Sequence, residues 1–455
     1  MVITHDVGVQ TEEIEDIPFL PATPSPPPIV LPFTEKDYED LSQSVFDLVT
    51  QYIEENVLQM SNPIFMTDLV EDVAHVVFQS LIDAGLCEND HYNELYQVVQ
   101  DDCFEWFLER NQPDCPIRHT KHHQENIMIT EFGLDEDFVR QFITEKLIDI
   151  RKKDATNPAQ RTPEWYLCRY NMLTASNLWH ALGSDAQKNR LIFEKCKPLE
   201  TQYTENKWIK TEGSLHWGVR YEPLTVSIYE HLTKTHLDFF GCIVDSTHSF
   251  LGASPDGIVT NPESPLYGRL VEIKNIYNRE MDGVPSEAYW IQMQIQMQCC
   301  DLEACDFVET RFKEYESEEE FHKEEDPDRI RGIILQFVPR DSLSNIPLYK
   351  YSPIGITNLV EWIEQTKEEV AEKHVLFQTH YWYLDDICMT TIYRNNAWFE
   401  AALPHIQHIW ETIQTERVTG YEHRAAKKRT SSGDVLVIQE KKTVCLIKLD
   451  QTDES

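Results

Sequence analysis

Positive charge is what this sequence has least of: 40 Lys and Arg stand against 78 Asp and Glu, a net charge of −38. A chain that bound nucleic acid by bulk electrostatics would be basic overall, so such a partner would have to meet a local cationic surface. No run of 18 apolar residues occurs and no basic-then-apolar leader is seen, so neither a membrane span nor a secretory signal is expected. The 11 cysteines are scattered, apart from Cys299, Cys300 and Cys305. That pattern suits a reducing compartment and no disulfide framework. The expectation is an intracellular protein with no membrane partner. At 455 residues it has room for two or three cores.

Residues 1–34 are acidic and end in the proline-rich run Pro21–Pro28, a composition that cannot bury enough surface to fold alone. Within it Gly8-Val9-Gln10-Thr11-Glu12 resembles peptides that add a strand to dynein light chain, but a plain tail is the expectation. Residues 35–153 read as an α-helical region. Thr34 is a suitable N-cap, and Tyr38, Leu41, Val45, Leu48, Val49 and Ile53 recur at helical spacing. Cys103, Cys115, His119, His122 and His123 offer zinc-binding residue types. The two cysteines have eleven residues between them, however, so a surface His run is expected instead. A domain over 155–415 follows, with a strand pair at Cys305–Tyr315 and Ile330–Pro339, an extended stretch at 380–395 and a helix at 397–416. The tail 416–455 contains the basic cluster Arg424–Arg429.

The chemistry gathers in residues 251–274, LGASPDGIVTNPESPLYGRLVEIK. Asp256 lies in a tight Ser-Pro-Asp-Gly turn. Glu272 and Lys274 alternate with apolar neighbours, so both face one side of a strand. Two carboxylates can hold Mg²⁺, which prefers hard oxygen ligands, and the ammonium beside them would activate an attacking water. Glu222 opens the apolar helical run from Leu224 and offers a third carboxylate. In Ala288–Gln298 glutamines alternate with apolar residues. A strand with one glutamine face and a helix with Gln292 beside Gln296 are both compatible with that pattern.

Four blocks occur in order: RYNMLTAS at 169–176, GVRYEP at 218–223, SPDG at 254–257 with EIK at 272–274, and YWIQMQ at 289–294. Together they resemble the lambda-exonuclease-like, YqaJ-type viral recombinase branch of the PD-(D/E)xK nucleases. The likeness spans about residues 160–312, extends more loosely to 415, and says nothing of 1–150 or the last 30 residues. It implies an α/β nuclease core, a mixed central sheet flanked by helices, here carrying an α-helical N-terminal extension. It also favours the helical reading of 288–298.

The implied activity is that of a Mg²⁺- or Mn²⁺-dependent deoxyribonuclease, a 5′→3′ exonuclease on double-stranded DNA ends serving viral or phage-type recombination, repair or replication. Glu222, Asp256, Glu272 and the carbonyl of Ile273 would ligate one or two ions. Lys274 would activate the water, Gln292 would orient Lys274 or the water, and Arg169 with Ser176 would hold the 5′-terminal phosphate. A single-strand annealing protein and a homo-oligomer are the implied partners, in host cytoplasm, nucleus or viral factory. The alternatives are a structure-specific endonuclease and a catalytically silent nuclease fold used as a DNA-binding scaffold. The silent fold is disfavoured because all three carboxylates and the lysine are present.

Overall fold

The computed structural model describes residues 31–109, 136–158, 162–199, 214–340 and 346–425. Helix α1 (Glu35–Asn56) begins where its cap dictates. Thr34 accepts the Asp37 amide at 3.3 Å, and the Asp37 carboxylate accepts the Thr34 amide at 2.8 Å, so two otherwise orphaned donors are satisfied. Leu41, Val45, Val49 and Ile53 recur every four residues and form its buried stripe. Helices α2 (Phe65–Asp83) and α3 (Tyr92–Glu109) pack against it. Cys103 is buried in that core, where desolvation pushes its thiol up to about 12, which disfavours a thiolate ligand. Cys115, His119, His122, His123, the dynein-like peptide and most of the basic cluster lie outside the described residues.

The chain then forms α4 (Glu136–Asp154), α5 (Pro163–Tyr170), β1 (Leu173–Thr174), α6 (Ala175–Leu178), α7 (Asp185–Cys196) and α8 (Ser214–Thr233). Short strands β2 (Leu237–Asp238), β3 (Ile243–Val244), β4 (Leu251–Ala253) and β5 (Gly257–Val259) lead to β6 (Leu270–Ile276). Helix α9 (Glu287–Cys300) crosses to β7 (Ala304–Glu314). Then come α10 (Glu318–His322), β8 (Arg331–Pro339), β9 (Leu348–Tyr351), α11 (Leu359–Val370), β10 (His374–Tyr393) and α12 (Asn396–Thr419).

The main sheet is mixed, in the order β2-β5-β6-β7-β10-β8-β9, with β6 and β7 parallel and the remaining pairs antiparallel. A parallel pair needs a crossover, and α9 supplies it. A second sheet, β1-β4-β3, sits beside it. The α/β core with an N-terminal helical region is therefore the observed architecture. One expectation fails: the segments at 305–315 and 330–339 are strands but not neighbours, because β10 lies between them and pairs with both. Their connection contains α10 rather than a tight turn, so nothing forces them into a hairpin.

Alternation along β6 separates the faces. Val271 and Ile273 pack with Tyr229 of α8 and Val308, while Leu270 joins the core formed with Trp290 of α9. That second core is continuous with the N-terminal helices: Val45, Leu69, Leu95 and Phe107 belong to the same cluster as Met293, Trp398 and Ile406. Trp290 meets Trp398 edge-on at 5.0 Å, and Ser61 donates to Glu287 of α9 at 3.0 Å. Among the described residues no helix is long and apolar enough to cross a membrane.

Shared burial should make the unit unfold together. Trp398→Ala should cost about 3–5 kcal/mol and lower hydrogen-exchange protection in α1–α3 and in β6–β7 alike. Loss of protection confined to one of those regions would show the two to be energetically separate.

Candidate active site

Asp256 is stapled to β6 on both sides of Glu272. Its amide donates to Val271 O at 3.0 Å, and its Oδ2 accepts the Ile273 amide at 2.7 Å. Gly257, which follows Asp256, lets β5 lie close to β2, because a Cβ there would sit 2.9 Å from the Leu237 side chain. In a strand the N–H and C=O of one residue point to the same edge. The Ile273 carbonyl thus faces the edge that holds Asp256, beyond the last β5–β6 ladder pair, Gly257 with Val271.

Glu272 is only 1% exposed, so its charge depends on the donors around it. Lys274 and Gln292 donate to Oε1, the latter at 2.7 Å, and Gln296 donates to Oε2 at 2.6 Å. Residues 288–298 are helical, which brings Gln292 and Gln296 onto one line above the carboxylate. Gln296 is a site residue that sequence reasoning missed, although its i+4 spacing from Gln292 was the available signal. Lys274 also lies 4.8 Å from the Tyr289 ring centre. Burial opposes its charge, but Glu272 and Asp256 outweigh burial and hold the ammonium above its ordinary value. The Asp256 carboxyl is pushed well above the usual carboxylate range, first by desolvation and then by Glu272, with Glu222 adding to the effect.

Glu222 sits on α8, exposed, and its charge reaches Asp256. Its neighbours anchor that helix: Tyr221 donates to Glu314 on β7 at 2.6 Å, and Arg220 donates to the same oxygen at 3.2 Å. Among the described residues no three Asp, Glu, His or Cys side chains stand gathered as a ready metal cage. The donor set nonetheless fits a hard divalent cation in its chemistry, since Asp256 and Glu272 stand beside a single ammonium, Glu222 is close enough for its charge to act on Asp256, and all offer hard oxygen atoms.

The second group lies around Arg169. Its guanidinium is 4.7 Å from the Trp165 ring centre and 3.5 Å from Thr174 Oγ1, and among the described residues it has no ion pair. Lys195 of α7, 9% exposed, donates to Arg169 O at 2.8 Å and Met172 O at 2.6 Å. Arg417 of α12 donates to Tyr170 O at 2.7 Å and Lys195 O at 2.8 Å, and covers the Tyr170 ring at 3.9 Å. Desolvation, with Arg169 and Arg417 nearby, lowers Lys195 to about 8. Ser176 is exposed in the first turn of α6, after Thr174 at the cap position. Lys195 and Arg417 had no sequence signal, since only folding brings them to Arg169.

Residues 164–303 match the family model of the YqaJ-like viral recombinase domain. An uncharacterised protein of Acanthamoeba polyphaga mimivirus is 26% identical over 293 residues, covering 56% of this chain and 52% of that protein. The chain thus spans about half the length of the curated relative it matches. Among solved structures, an alkaline exonuclease from Laribacter hongkongensis aligns at 19% identity with a TM-score of 0.32, covering 58% of this chain and 95% of that one. A phage-related exonuclease from Haemophilus somnus 129PT aligns at 12% identity with a TM-score of 0.30, covering 56% and 96%. Asp256, Glu272, Lys274 and Gln292 all lie inside the segment, residues 164–303, that is similar to the YqaJ-like viral recombinase domain.

Proposed function

We propose that this chain is a divalent-metal-dependent deoxyribonuclease that degrades double-stranded DNA from its ends in the 5′→3′ direction. The observation that carries the reading is the pair of carboxylates beside Lys274, buried Glu272 and half-buried Asp256, with the exposed Glu222 close enough for its charge to act on Asp256. A Mg²⁺ or Mn²⁺ ion held by Glu222, Asp256, Glu272 and the Ile273 carbonyl would act as a Lewis acid on the scissile phosphate. Lys274, as an ammonium, donates to the attacking water and offsets charge as it develops on the phosphate. Gln292 and Gln296 fix Glu272, and through it the position of Lys274. The α1–α3 region, residues 31–109, holds 18 Asp and Glu against one Lys and would repel a phosphate backbone. DNA must therefore be met elsewhere, and Arg169, Lys195 and Arg417 are the clustered cations next to the matched core. Three cations with Ser176 nearby suit a terminal 5′-phosphate. The single strand left by such digestion is what an annealing protein would take up.

Glu272→Gln and Lys274→Ala should each lower Mg²⁺-dependent cleavage by about a hundredfold or more, with duplex affinity measured in Ca²⁺ little changed. Release of label from 5′- and 3′-labelled duplexes reads both rate and polarity. Wild-type rates in either variant would remove the assignment.

The cation cluster makes a separate prediction. Duplex with a 5′-phosphate should be degraded faster than 5′-hydroxyl duplex, and Arg169→Ala should shrink the preference. Lys195 is a base whose folded pKa lies near 8, below its ordinary 10.5, so it is fully charged only below that pH. The preference should therefore fade as pH rises through about 8. Equal rates on both ends at every pH would favour the structure-specific endonuclease.

A further inference from the structure

One carboxylate beside the site has no role in the family motif. Glu309 on β7 is the ladder partner of Lys274 on β6, so the two side chains stand next to each other on the same face of the sheet. Glu309 is 0% exposed. Its Oε1 accepts Arg279, while its Oε2 is buried without a hydrogen-bond partner. A buried carboxylate oxygen left unpaired is costly and calls for a donor. Lys274 has three donor hydrogens and gives one to Glu272. Burial pushes the Glu309 carboxyl up, and Arg279 and then Lys274 act in the opposite sense.

The cover over Glu309 comes from residues 277–286, which connect β6 to α9. Gly283, at φ +76°, presses against Cys388 and Thr390 of β10 so closely that a Cβ there would lie 2.6 Å from Cys388 Sγ. Thr390 donates to Gly283 O at 2.8 Å, and Cys388 is the ladder partner of Glu309 on its other side. This pinned segment places Arg279, 44% exposed, between Glu309 and solvent. Lys274 is therefore flanked by two carboxylates. Glu272 holds it now, and Glu309 has an acceptor to spare.

We propose that Glu309 is a positioning residue for Lys274, taking the ammonium when Glu272 turns from Lys274 to a divalent cation, with Arg279 holding Glu309 in place. The inference rests on the metal-dependent reading of the site. Without a second acceptor, Lys274 would lose its ion pair at the moment Glu272 changed partner, and its ammonium would no longer be fixed where the water must sit. With Glu309 the change is an exchange of one ammonium–carboxylate pair for another, with no net charge left unmatched.

Two measurements on the full chain test this. A crystal structure grown with Ca²⁺ should place Lys274 Nζ within hydrogen-bonding distance of Glu309 Oε2. In Mg²⁺-dependent digestion, Glu309→Gln should lower kcat about 10–100-fold, with KM for duplex and the melting temperature unchanged, and Glu309→Asp should recover part of the loss. Lys274 remaining on Glu272 with Ca²⁺ bound, or a Glu309→Gln kcat within twofold of wild type, overturns the role of Glu309 while the nuclease reading stands. A fall in kcat that follows the melting temperature and is not recovered by Glu309→Asp also overturns it, marking Glu309 as structural. A wild-type chain that neither takes up Ca²⁺ nor cuts DNA removes the nuclease reading, and this inference with it.

Discussion

The buried carboxylate of Glu272 is the group to which the surrounding elements answer. A charge taken almost wholly out of water is tolerated only where donors replace the lost hydration. Here they come from three places: Lys274 on the same strand, Gln292 and Gln296 on α9. The parallel β6–β7 connection is what lays α9 over that strand face. Asp256 then closes the opposite edge through the Ile273 amide. Each support depends on the local fold: residues 288–298 must be helical for both glutamines to reach, and the Asp256 turn must lie along the β6 edge for its carboxylate to accept the Ile273 amide.

The same concentration of acid explains why the site fits a cation. Asp256 and Glu272 share a desolvated space with one ammonium, and Glu222 adds a third negative charge from α8. Hydrogen bonds from glutamine amides and a backbone N–H stabilise carboxylates without neutralising them. Elsewhere charge is segregated on a larger scale. The charged residues of the N-terminal helices are almost all acidic, whereas Arg169, Lys195 and Arg417 meet where, among the described residues, Arg169 has no ion pair. An overall charge of −38 is thus compatible with a nucleic-acid enzyme, because phosphate responds to the local field and not to the sum.

The N-terminal helices are bound into the same apolar core as α9 and α12, through residues such as Leu69, Phe107, Trp290 and Trp398. The helix that carries Gln292 and Gln296 therefore rests on a foundation outside the matched family segment. Packing interiors are dense and pass displacement along, so the extension bears on how firmly Glu272 is held.

Local pattern alone determined several of these features. The Thr34 cap, the four-residue stripe of α1, the strand alternation of Glu272 and Lys274, and the Asp256 turn depend on interactions a few residues apart, which the sequence displays directly. Residues 288–298 were ambiguous because strict alternation with glutamine satisfies both a strand face and a helical line. Burial of Trp290 and Met293 against α12 and the N-terminal helices accompanies the helical outcome. Strand order was likewise beyond local reading, since β10 enters between β7 and β8 from far along the chain. Gln296 as a donor to Glu272, Glu309 beside Lys274, and Lys195 and Arg417 beside Arg169 were decided only by tertiary structure. Ladder register and helix packing bring these groups together, and neither leaves a trace in the spacing of the residues they join.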